Sequence, residues 1–123
     1  MVTGFENYTA ALTPYELEML IPVLTEGLKK RVGAKRAIRN KDICRILTAR
    51  GYEKVSEARM RKCINYIRMN GLVPHLIANS NGYYVATSVD EVQQYAESLK
   101  ERATAIWAMR TALINQLSGK LFL

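Results

Sequence analysis

Ser56-Glu57-Ala58-Arg59-Met60-Arg61-Lys62-Cys63-Ile64-Asn65-Tyr66-Ile67-Arg68-Met69-Asn70-Gly71 is the stretch on which the fold turns. Ser56 stands where a helix N-cap is wanted, and Val55 before it with Met60 after it suits a hydrophobic staple. Met60, Cys63, Ile64 and Ile67 recur on one helical face, and Asn70-Gly71 closes the helix. The helical wheel puts Ala58, Arg61, Lys62, Asn65 and Met69 on the opposite face, with Arg59, Tyr66 and Arg68 on its flanks. This is an amphipathic helix with an apolar side for a core and a cationic side for something else.

Upstream, Asn40 reads as the cap of a shorter helix over 41–50, with Ile43, Ile46 and Leu47 as core stripe and Gly51 as stop. Ala37-Ile38 is a short apolar pair that suits a small first strand. Thr13-Pro14-Tyr15-Glu16 opens an earlier helix: threonine caps, proline takes the first helical position, and glutamate completes a capping box. Leu17, Leu20, Ile21, Leu24 and Leu28 follow at helical spacing, and Gly33 ends the element. Pro22 inside this run requires a kink or a break near Ile21. Residues 1–12 carry no periodicity and read as an N-terminal arm.

Downstream, Leu76-Ile77-Ala78 and Tyr83-Tyr84-Val85-Ala86 flank Asn79-Ser80-Asn81-Gly82, a β-hairpin signal. Alternation sends Tyr83 and Tyr84 to opposite faces, one to the core and the other to solvent. Ser88-Val89-Asp90-Glu91 is a second capping box, opening a helix that runs to about Leu117, before Gly119. Along it Val92, Ala96, Leu99, Ala103, Ile106, Leu113 and Leu117 recur at 3,4 spacing, with Arg110 breaking the seam.

The order is helix, short strand, helix, turn, helix, hairpin, long helix: mainly α with a small β-hairpin. From Ala37 to Thr87 the chain resembles a winged helix-turn-helix domain of the small type met in bacteriophages and mobile elements. The likeness to that type is carried by the tail of the segment, from Ile64-Asn65-Tyr66-Ile67-Arg68 through Gly82-Tyr83-Tyr84-Val85-Ala86-Thr87. It implies a support helix over 41–50, a recognition helix over 57–70 and a wing over 76–86. It also implies duplex DNA as partner, although some such domains bind RNA or protein instead. The segment from Gly51 to Ser56 is longer than the tight turn of the simplest helix-turn-helix, which leaves the angle between the two helices open. The expected organisation is an arm over 1–12, a winged helix-turn-helix domain with its preceding helix over 13–87, and a long helix over 88–123.

Charge points to the same partner. The 123 residues carry a formal +7, and residues 29–68 alone hold fourteen Lys or Arg against Asp42, Glu53 and Glu57, a surplus of eleven. A phosphate-facing surface needs that polarity. On the outer face of 57–70, Arg61 or Lys62 suits guanine and Asn65 suits the paired bonds of adenine, with Ala58, Arg59, Tyr66, Arg68 and Met69 around them. Arg36, Arg39 and Lys41 are placed to touch the DNA backbone. Asn79, Ser80 and Asn81 at the hairpin tip suit phosphate or minor-groove contact, although turns use these residues anyway.

Other functions find little foothold. With 49% apolar and 24% charged residues the chain can build a core, and no apolar run approaches a membrane span. The start Met1-Val2-Thr3-Gly4-Phe5-Glu6 lacks a signal peptide's basic and apolar runs, so the expected place is the cytoplasm. Cys44 and Cys63 sit in helical patterns as small hydrophobes, and with His75 they offer no metal-ligand spacing. His75 beside Pro74 reads as a structural residue at a strand start. There is no phosphate loop, nucleophile elbow or His–carboxylate cluster, so neither enzyme activity nor a cofactor is expected.

The function read from the sequence is a sequence-preferring double-stranded DNA-binding protein. It would be a transcriptional regulator or a replication or recombination accessory factor of a mobile element. The alternative is a non-catalytic protein-interaction module that assembles through the C-terminal helix and wing. The long helix would rise roughly 43 Å. Even with its first turns on Leu17, Leu20, Leu24 and Leu28 it would expose Ile106, Trp107, Leu113 and Leu117, so a homodimer is expected there, with Arg110 in its seam. Folding back fully along the first helix is the competing arrangement.

Overall fold

The Thr13 capping box forms as the sequence reads: Glu16 N–H donates to Thr13 Oγ1 at 3.1 Å, and Thr13 N–H donates to Glu16 Oε1 at 2.8 Å. In the computed structural model, which describes residues 11–117, the helix it opens is not regular. Glu16–Leu20 is a wide π-helical turn, and α1 (Ile21–Lys29) follows without interruption. Pro22 has no N–H to give and its ring crowds the carbonyl four residues back, so the preceding turn widens. Ile21 N–H accordingly reaches Glu16 O. The widening rephases the stripe. Leu20, Ile21, Leu24 and Leu28 are buried, but Leu17 turns out to solvent and Glu16 takes an interior place.

A 3-10 turn at Ala34–Arg36 leads to α2 (Asn40–Ala49), and α3 (Glu57–Met69) follows. Asn40 does not cap α2; its side-chain amide donates to Glu57 O at 2.9 Å and ties the two helix starts together. The longer connection between them is pinned from outside, where Glu53 N–H donates to Tyr15 Oη at 2.7 Å. Ser56 caps α3 as expected, accepting from Arg59 N–H at 3.1 Å. Met60, Cys63, Ile64 and Ile67 are essentially inaccessible to water. Burial of this kind stabilises by on the order of 2 kcal/mol per large side chain.

β1 (Leu76–Asn79) and β2 (Gly82–Val85) form a two-stranded antiparallel hairpin, with Leu76 opposite Val85 and Asn79 opposite Gly82. His75 enters β1 with φ 64°, and its carbonyl accepts from Ala86 N–H at 3.0 Å. The expectation that one of Tyr83 and Tyr84 faces solvent is corrected: both are buried, Tyr83 in the main core and Tyr84 outside it. Two isolated bridges, Ile38 with Tyr83 and Val32 with Val85, join the hairpin to the segment before α2. Gly82 makes this approach possible. A Cβ there would lie 2.3 Å from Ile38 O, and the residue has φ 118°.

The chain divides into two compact units between Thr87 and Ser88. The second is α4 (Val89–Gln116), capped by Ser88, whose hydroxyl accepts from Glu91 N–H at 3.2 Å. No residue of α4 is buried. In the first unit the leucine stripe of α1 is already packed in a core shared with α2, α3 and β1. Residues 1–10 of the arm expected over 1–12, and residues 118–123 with Gly119, lie outside the described residues. No described helix is long and apolar enough to cross a membrane.

Candidate nucleic-acid interface

Burying one face of α3 dictates what the other presents. With Met60, Cys63, Ile64 and Ile67 inside, Arg61, Tyr66 and Met69 are exposed, and Ala58, Lys62, Asn65 and Arg68 are half-buried at the margins. Arg68 Nη1 donates to Asn65 Oδ1 at 3.5 Å, the outer edge of hydrogen bonding, so these two side chains already share one patch.

Arg59 is the correction on this helix. The wheel placed it on the flank of the DNA-facing surface, but it is buried and its guanidinium closes on Glu16. Nε donates to Glu16 Oε2 at 2.9 Å, Nη2 contacts Glu16 Oε1, and Nη2 also donates to Ala11 O at 2.9 Å. A buried charge persists when it is paired and hydrogen-bonded. Burial pushes the Glu16 carboxyl up, but Arg59 and Thr13 outweigh it and hold the carboxyl below its ordinary range. The hydrogen bond from Arg59 to Glu16 in turn raises the guanidinium above its usual value. Arg59 therefore fastens α3 to the start of the first helix and leaves the interface. Glu16 was legible as a capping residue; its partner 43 positions away was not.

The remaining cations of residues 29–68 are exposed or half-buried. Among the described residues, no carboxylate lies within 4.0 Å of the charged groups of Arg36, Arg39, Lys41 or Arg61. Arg45 pairs with Asp42 at 3.8 Å, an exposed contact of small energetic weight.

Two stretches remote in sequence meet at the start of α2. Arg39, Lys41 and Asn40 share a shallow depression of about 300 Å3 with Asn79, Ser80 and Gly82 of the hairpin tip, and Glu57 adds one acidic group. Asn79 Oδ1 accepts from Asn81 N–H at 2.9 Å, so its side-chain carbonyl shapes the turn. Arg36 lies elsewhere. It stands with Lys30, Arg31 and Arg50 around an open groove of about 360 Å3 floored by Leu24, Leu28, Ile43 and Leu47. The sequence counted these cations but could not group them.

The residues expected at a dimer seam are all exposed: Ile106, Trp107, Leu113 and Leu117 keep more than half their surface, and the guanidinium of Arg110 lies 4.9 Å from the centre of the Trp107 ring. Among the described residues no cluster of His, Cys, Asp or Glu is arranged to hold a metal ion. No protein-family model matches the chain, and no curated protein or solved structure matches it either.

Proposed function

We propose that the first unit binds double-stranded DNA as a winged helix-turn-helix, with the outer face of α3 in the major groove and the hairpin as its wing. The observation that carries this reading is the junction of hairpin tip and α2 start, where Arg39 and Lys41 stand beside Asn79 and Ser80. A helix N-terminus with two cations and a turn of small polar residues is suited to a phosphate. Arg61, Lys62 and Asn65 lie on the next helix, on the face that its packing leaves outward. The bridge from Ile38 to Tyr83 supplies the small third strand such a domain uses. On this reading the protein works without catalysis, as a regulator or an accessory factor in replication or recombination.

A gel-shift with mixed-sequence duplex over a salt series tests it. Roughly five engaged phosphates give a log–log slope near −4 to −5. Arg39→Ala with Lys41→Ala should weaken binding to every sequence and flatten that slope, whereas Asn65→Ala should chiefly relax sequence preference. No measurable binding at low salt overturns the DNA reading.

A further inference from the structure

We infer that α4 pairs with α4 of a second copy of this chain, and that the two helices run antiparallel. Ala96, Leu99, Ala103, Ile106, Arg110 and Leu113 form one continuous a/d seam, and every one of them is exposed. Small and large residues alternate along it: alanine at 96 and 103, Leu99, Ile106 and Leu113 between them. Antiparallel pairing sets each alanine against a large side chain, Ala103 on the second copy's Ile106 and Ala96 on its Leu113. Leu99 then meets the second copy's Arg110, whose aliphatic stem covers it while the guanidinium reaches water. Lys100 comes beside the second copy's Trp107, within range of a cation–π contact.

Charge decides the direction. Residues 88–98 carry Asp90, Glu91 and Glu97 and no cation, whereas residues 106–117 carry Arg110 and no carboxylate. A parallel pair would set the acidic start against its own copy and Arg110 against Arg110. Antiparallel pairing sets the acidic start against the cationic end, aligns the helix dipoles favourably and keeps the two Arg110 residues apart. The two Ser88 ends then stand on the order of 50 Å apart at 1.5 Å per residue.

Sedimentation of the full chain over a concentration series, with spin labels on Gln93→Cys in a Cys44→Ala background, tests both halves. Antiparallel pairing predicts a dimer with label separations of about 35 Å from the helical rise. A parallel pair would hold the labels within roughly 20 Å, given helices 8–10 Å apart. Leu99→Asp with Ile106→Asp should abolish the dimer and the label coupling while leaving the melting of the first unit in place. A chain that stays monomeric throughout overturns the pairing, and the short label distance overturns its direction.

Discussion

α3 and α4 carry the same kind of apolar stripe at the same spacing, yet the stripe of one is fully buried and the other helix has no buried residue at all. Each also places an arginine beside its stripe. Arg59 on α3 is enclosed and bonded to Glu16; Arg110 on α4 lies in the open against Trp107. Periodicity therefore announces a face that wants covering and is silent about what covers it. The cover for α3 is the α1 stripe, with α2 and the hairpin adding to the same core.

The two arginines give the sharpest way to break the contrast. Glu16→Ala removes the carboxylate and leaves a guanidinium buried without a counter-charge, which should cost about 3–5 kcal/mol. Arg110→Ala, on an exposed site, should stay within about 0.5 kcal/mol for the unfolding of the first unit. Urea denaturation measures both, and similar midpoints for the two variants would end the comparison. Acid extends the test. A carboxyl held below its ordinary 4.5 contributes stability that is complete above that pH and disappears as pH falls through the lowered value. Acid unfolding of wild type should therefore steepen below pH 4.5, and Glu16→Gln should flatten that limb.

The apolar stripes themselves come next. Ile64→Ala empties a fully buried position and should cost roughly 3 kcal/mol, within the usual range for large-to-small core changes. Ile106→Ala removes the same atoms from a residue that is 69% exposed, and should leave the first unit's stability unchanged. Its effect belongs in the dimer constant instead. A destabilised first unit in Ile106→Ala would show that the α4 stripe is covered from within the chain.

Local signals were read with good fidelity because their causes are local. The capping box at Thr13, the caps at Ser56 and Ser88 and the hairpin around Ser80-Asn81 all form, each set by residues within a few positions. The departures share one origin. Leu17 leaves the core because Pro22 widens the turn before it; Asn40 gives up its cap to reach Glu57; Arg59 turns inward to Glu16. Each outcome was decided by a partner distant in sequence or by a backbone rephasing, and helical wheels contain neither. In the candidate site the cationic face of α3 was legible apart from Arg59. The meeting of Arg39 and Lys41 with Asn79 and Ser80 was not, because it depends on where the hairpin folds down.

The smallest perturbation asks whether the two stripes differ in permanence. The Cys63 thiol is fully enclosed, and burial together with the nearby Glu16 carboxylate pushes it up to about 12. At pH 8 only roughly one in ten thousand such groups is thiolate, the form that reacts. Alkylation at Cys63 should then wait for unfolding and be independent of protein concentration. Ala103→Cys places a thiol in the exposed seam of α4 at a cost of a few tenths of a kcal/mol, typical of surface changes. In dilute protein it should react at a free-thiol rate, and it should become protected as concentration rises through the dimer constant. Cys44, half-buried with its thiol raised by burial, should fall between the two. Labelling of Cys63 as fast as the Ala103→Cys thiol would deny the closed core of α3. Protection of the α4 thiol at every dilution would mean that its cover belongs to the same chain.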